Sequence, residues 1–154
     1  MPHAARETVL ILDNIRSLYN VGSMFRSADG FGVSKIYLCG ITGTPLQSKV
    51  QKVALGAEKS VSWEHVGSAC TLVDRLKRDG YAAVGLESAP GAVPLPSFRP
   101  KYPLALVVGN EIRGLTPAML KRLDVVVEIP MSGIKESFNG AGACGIALYA
   151  LTRK

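Results

Sequence analysis

Leu104-Ala105-Leu106-Val107-Val108, running straight into Gly109-Asn110-Glu111-Ile112-Arg113-Gly114-Leu115, decides the fold class. Five apolar residues without polar alternation make a strand covered on both faces, as in a parallel sheet packed between helices. The strand releases into a polar, glycine-containing loop, and in such sheets ligands sit beyond the carboxyl ends of the strands. Outward from this segment the same alternation recurs. Val9-Leu10-Ile11-Leu12 is an apolar strand that ends in the turn Asp13-Asn14. Between Asn20 and Phe31 the period becomes helical: Val21, Met24, Phe25, Ala28 and Phe31 share one arc, and Asn20, Ser23, Arg26 and Ser27 the other. Gly30 and Gly32 close that helix. Further strands are expected over Lys35–Cys39, Val61–Val66, Tyr81–Leu86 and Val125–Ile129. Helical stretches are expected around Gln47–Leu55, over Ser68–Arg78, after Pro117 and from about Ser137 to Thr152. The proline-rich Ser88–Pro103 segment must be loop or sheet edge. Strands alternating with helices predict an α/β domain, a mainly parallel sheet with helices on both faces.

The 154 residues suit one domain over 1–154 that can bury a core. A hydrophobic content of 47% with 19% charged residues excludes a disordered chain. The longest apolar runs fall far short of the ~18 residues of a membrane span, and no signal segment follows the N-terminus. The expectation is a soluble, cytoplasmic protein with no membrane partner. Cys39, Cys70 and Cys144 are too widely and irregularly spaced for a disulfide framework or a zinc site, so no metal is expected. The net charge of +6 fits a polyanionic partner such as nucleic acid, and equally a solvated basic face that keeps the protein soluble. With 6% aromatic residues, no base-stacking platform is visible.

Two loops follow apolar strands at the end where ligands bind: the one opened by Gly109, and Pro130-Met131-Ser132-Gly133-Ile134-Lys135-Glu136-Ser137-Phe138-Asn139. Asn20 to Arg26, shortly after the first strand, is a third candidate segment. Gly109 and Gly114, lacking Cβ, would let backbone amides come close to a ligand. No Gly-x-Gly-x-x-Gly follows a strand and no Gly-x-x-x-x-Gly-Lys-Ser/Thr occurs. A nicotinamide-linked enzyme on an α/β sheet is thereby disfavoured.

Three segments together resemble the SpoU (TrmH-like) branch of the SPOUT methyltransferases, in the family's order and across nearly the whole chain. They are Asn20-Val21-Gly22-Ser23-Met24-Phe25-Arg26-Ser27-Ala28-Asp29-Gly30-Phe31-Gly32, Val107 to Leu115, and Ile129-Pro130-Met131-Ser132-Gly133 running through Glu136-Ser137-Phe138-Asn139 to Tyr149. The resemblance implies a C-terminal trefoil knot, a homodimer, S-adenosylmethionine as cofactor, and the ribose 2′-hydroxyl of a structured RNA, tRNA or rRNA, as acceptor. It further implies a cofactor site at Leu86, Gly109, Ile129, Met131 and Phe138, and a reaction centre of Arg26, Asn20, Glu111, Ser137 and Asn139. The chain departs from the family at Ser137-Phe138-Asn139-Gly140-Ala141, where Ser-Leu-Asn-Val-Ser or Ser-Leu-Asn-Val-Ala is usual. Gly140 and Gly142 each weaken the start of the last helix by ~1 kcal/mol relative to alanine.

Each polar candidate has a structural alternative. Asn20 either caps its helix or orients Arg26, and the two are compatible. Glu111 is a surface carboxylate or a hydrogen-bonding site residue. Ser137 is the N-cap of the last helix or, with Asn139, part of a ligand collar. A guanidinium has a pKa above ~12, so Arg26 is read as binding the RNA phosphate and polarising the hydroxyl, not as a base. Ala143, Ala147 and Ala150 on the last helix would let another helix approach closely, which suits a dimer. Two function classes stand: the methyltransferase, and a catalytically weak RNA-binding SPOUT homologue.

Overall fold

The computed structural model describes residues 6–135 and 138–153. Its strands are β1 (Thr8–Asp13), β2 (Lys35–Cys39), β3 (Ser62–Val66), β4 (Ala82–Leu86), β5 (Val93–Pro94), β6 (Leu104–Val108) and β7 (Val125–Glu128). They join in one seven-stranded sheet of order β3-β2-β1-β6-β4-β7-β5. Every pairing in it is parallel. The helices are α1 (Leu18–Gly30), α2 (Ser48–Ala54), α3 (Ala57–Ser60), α4 (Ala69–Arg78), α5 (Pro117–Leu120) and α6 (Gly140–Thr152). The proline-rich segment supplies the edge strand β5 and a 3-10 turn over Leu95–Ser97, because proline cannot donate to a central ladder.

Side chains alternate across each strand and so build two cores. One face carries Leu10, Leu12, Ile36, Leu38, Leu104, Leu106 and Val108, packed under Val21, Met24 and Phe25 of α1, Val50 of α2 and Leu148 of α6. The other carries Val9, Ile11, Tyr37, Ala105 and Val107, packed under Leu72, Val73 and Leu76 of α4 and Met119 of α5. Helices therefore cover both faces. All five residues of β6 are buried, as the unbroken apolar run requires.

Two helix starts differ from expectation. α1 begins at Leu18, and its N-cap is Ser17, whose Oγ accepts from the Asn20 amide at 3.1 Å. Asn20 thus lies inside the first turn with its side chain free for other bonds. α6 begins at Gly140, capped by Asn139, whose Oδ1 accepts from the Gly142 amide at 2.8 Å. Ser137 lies outside the described residues. No helix among them is long and apolar enough to cross a membrane.

Candidate active site

The sheet order turns back around β6: β1, β2 and β3 run to one side, β4, β7 and β5 to the other. Such a switch leaves a crevice at the carboxyl ends of the strands. A cavity of about 510 Å³ opens there, lined by Leu86 and Glu87 after β4, by Val108 to Gly114 after β6, by Glu128 and Ile129 after β7, and by Phe138, Gly140 and Ala143. This size lies within the ~300–1,000 Å³ range of small-molecule sites. Of the expected cofactor residues, Leu86, Gly109, Ile129 and Phe138 line it; Met131 lies farther along the same loop, outside the lining.

The loop after β6 forms the floor, and its glycines serve the loop itself. A Cβ on Gly109 would sit 2.7 Å from the Gly114 carbonyl group, so the loop closes only without one. Gly114 has φ +69° and lies against Glu87, whose Oε1 accepts from the Leu115 amide at 2.6 Å. The close approach is thus between the loop's two ends and the Glu87 carboxylate just after β4. Glu87 was not foreseen, although it follows its strand as directly as Gly109-Asn110-Glu111 follows β6; that shared position was the available signal. Ser88 and Glu128 also line the cavity without having been anticipated, and Arg113 lines it from within the candidate loop after β6.

Glu111 fastens this floor to α1. Its Oε1 accepts from the Arg16 amide at 2.9 Å, and its Oε2 accepts from the Ser17 amide at 2.9 Å and from Asn20 Nδ2 at 3.3 Å. Partial burial pushes this carboxyl up, but bonds from the amides of Arg16, Ser17 and Glu111 itself and from Asn20 outweigh it, leaving the group below its ordinary value of 4.5. A lowered native value means that the tie stabilises fully above that ordinary value and loses its contribution as the pH falls below it. Glu111→Gln should therefore flatten the acid limb of a melting-temperature profile below pH 4.5. An unchanged acid limb would show that the carboxylate does not hold α1.

Asn20, Glu111 and the start of α6 meet at one corner of the cavity. A Cβ placed on Gly140 would lie 3.7 Å from Asn20 Nδ2 and 3.9 Å from Glu111 Cγ. Asn139 is the next residue, although its own side chain is committed to the cap. Arg26 stands apart. It is exposed on α1, six residues beyond Asn20 and so about 9 Å along the axis. It lines neither this cavity nor the groove between α1 and α6, and it forms no hydrogen bond or ion pair with a described residue. Ala147 is buried, and Ala143 and Ala150 are half-buried against the chain's own core and cavity. The alanine face is thus already used. The outward face of α6 is Gly142, Ile146 and Tyr149, which forms a shallow groove with Tyr19, Ser23 and Ser27 of α1. No cluster of three metal-ligating side chains occurs among the described residues.

Known proteins share this fold. The chain is 32% identical over 147 residues to a protein from Staphylococcus haemolyticus named as a TrmH family tRNA/rRNA methyltransferase; the match takes in 96% of this chain and 59% of that relative's length. The SpoU methyltransferase AviRb from Streptomyces viridochromogenes, crystallised with the cofactor AdoMet, superposes with a TM-score of 0.89 at 27% identity, over 98% of this chain and 61% of that one. A solved structure described as explaining 2-OH methylation of C/U34 on tRNA superposes with a TM-score of 0.83 at 26% identity, over 96% and 95% of the two chains. Residues 7–149 match the family's sequence pattern, and the chain belongs to the SpoU rRNA methylase family.

Proposed function

We propose that this chain is an S-adenosylmethionine-dependent methyltransferase that modifies a ribose 2′-hydroxyl of tRNA or rRNA, working in the cytoplasm as a homodimer. Residues 1–154 are read as one methyltransferase domain, with β6, β7 and α6 threaded as a trefoil knot. The observation that carries the reading is the lining of the cavity. Leu86, Ile129 and Phe138 offer an apolar wall to an aromatic base, and among the described residues Glu87, Glu111 and Glu128 give the pocket three carboxylates against one cation, Arg113. A ligand with a flat base and a positively charged tail fits both halves, so the residues present suit S-adenosylmethionine. Bound there, that cofactor supplies a methyl group already activated by a cationic sulfur.

The remaining work falls to the protein: holding the acceptor oxygen in line and stabilising the negative charge that develops on it. Asn20, oriented by Glu111, is assigned the first task, together with Asn139 at the start of α6 and with Ser137, which lies outside the described residues. Arg26, exposed and unpaired, is suited to grip an RNA phosphate and polarise the hydroxyl. Its distance from the cavity of its own chain fits a site completed by a second subunit across the α1–α6 groove. Calorimetric titration with S-adenosylmethionine, in the presence of chelator, is expected to give metal-independent binding. Mapping of 2′-O-methylation across total RNA should then lose one site in cells without the gene. No binding at millimolar cofactor would overturn the assignment, and a single-chain sedimentation mass would overturn the dimer.

A further inference from the structure

The carboxyl edge of the sheet carries a second feature that the cavity does not explain. The loops after β6, β1 and β2 lie side by side because those strands are neighbours. Side chains weld each to the next: Asn110 Nδ2 donates to the Asn14 carbonyl at 2.8 Å, the Ile41 amide to Asn14 Oδ1 at 3.0 Å, and the Ile15 amide to Thr42 Oγ1 at 3.0 Å. This fixed edge holds large apolar side chains out in water: Ile112 is 77% exposed, Ile41 67% and Leu46 83%. Arg113, Arg16 and Lys49 are exposed on the same three loops and the start of α2. None of these three cations has a side-chain hydrogen bond or ion pair with a described residue. No Asp or Glu occurs from Ile41 to Ala57. Glu111 has both oxygens committed to N–H donors, and Asp13 is half-buried at the end of β1.

A basic face that only kept the protein soluble would not set bulky apolar groups between its cations. We infer that this edge is a docking strip for the RNA nucleotides that flank the modified position, an inference that rests on the RNA-methyltransferase reading above. The strip begins at the mouth of the cavity, since Ile112 and Arg113 also line it. From β6 through β1 to β2 it spans two strand spacings, about 10 Å. A stacked nucleic-acid strand carries one phosphate per about 3.4 Å, so three phosphates match the three cations. The bases then lie over Ile112, Ile41 and Leu46. Because the loops are already fastened, little ordering cost falls on binding.

The test uses unfractionated tRNA as the probe, with anisotropy measured over a salt series for the wild type and for Arg16→Ala/Lys49→Ala. Binding should weaken by about tenfold or more, and the log–log salt slope should drop by about 1.4, or 0.7 per lost phosphate contact. Cofactor affinity and sedimentation mass should not change. Unchanged RNA affinity and slope would overturn the strip, as would the same loss arising instead from Arg75→Ala/Arg78→Ala on α4. A lowered sedimentation mass would assign the edge to a second copy of the chain and likewise overturn it. A wild type that binds cofactor but no RNA would defeat the RNA reading itself, and the strip with it.

Discussion

Arg26→Ala should lower methyl-transfer turnover by at least about 100-fold, the scale of losing one preorganised donor to developing charge. A ribose hydroxyl is a poor nucleophile at neutral pH, so a fixed cation near it would lower the barrier by stabilising the charge that develops on the oxygen. The variant should fold normally, because Arg26 is exposed and makes no bond within the described residues. Its cofactor affinity should stay near that of the wild type, since Arg26 is not part of the cavity wall. Arg26→Lys should be nearly as poor, because an ammonium cannot reproduce the guanidinium's planar fork on a phosphate. Single-turnover rates with saturating cofactor provide the measurement. A near-normal rate in the alanine variant would remove Arg26 from the reaction.

Phe138→Asp should abolish cofactor binding, with at least about a 100-fold loss, or about 2.7 kcal/mol. Phe138 is 43% exposed and forms one wall of the cavity. A carboxylate there would replace an apolar contact with a charge that has no partner. It would also join Glu87, Glu111 and Glu128 around the same space, adding like-charge repulsion. Phe138→Leu, which restores the residue usual in the resembling family, should bind within a few-fold of wild type and shows that loss in the aspartate variant is not a matter of size. Calorimetric titration distinguishes the two; tight binding by the aspartate variant would place the cofactor elsewhere.

Much of the fold was legible because burial on both faces writes itself as unbroken apolar runs. Leu104–Val108 coincides with β6, and Lys35–Cys39 with β2. The helix expected over Ser68–Arg78 is α4, Ala69–Arg78, with Ser68 as its N-cap. The sheet order was not legible, since the insertion of β6 between β1 and β4 depends on contacts between distant parts of the chain. Cap positions were blurred for a local reason. Ser17 and Asn20, and Ser137 and Asn139, are pairs of good capping residues within one turn, and only the backbone decides which of each takes the amides.

The site was readable as a set of segments and less so as an arrangement. Residues after β4, β6 and β7 do converge, and Asn20 does reach Glu111. The roles within that set shift once distances are known. Gly109 and Gly114 were read as making room for a ligand, whereas the Gly114 carbonyl group and the Glu87 carboxylate fill the space a Cβ would need. Its place after β4 marks Glu87 as a candidate, but no spacing rule reveals its partner, because that amide belongs to Leu115 on another strand's loop. The alanines of α6 misled for a similar reason: small residues permit close approach without saying whether the neighbour belongs to another chain or, as for Ala147, to the same core.

The central place of β6 bears on how the molecule is made. β1 emerges well before β6 during synthesis, yet one of its two ladders, from Thr8 opposite Leu104 to Leu12 opposite Val108, awaits that later strand. β4 waits for the same strand. A ribosome that has not yet released Leu104 therefore holds the half-sheet β3-β2-β1 with an unsatisfied inner border, and β4 with no partner strand, since β7 also lies beyond Leu104. Unpaired borders of this kind are templates for wrong pairings between neighbouring nascent chains. Closing so long a loop also makes the final step slow, because the chain entropy is lost before the contacts repay it. Late insertion of β6 is thus the exposed step of assembly, and weakening any of its five buried residues should be felt there before it is felt in the finished fold.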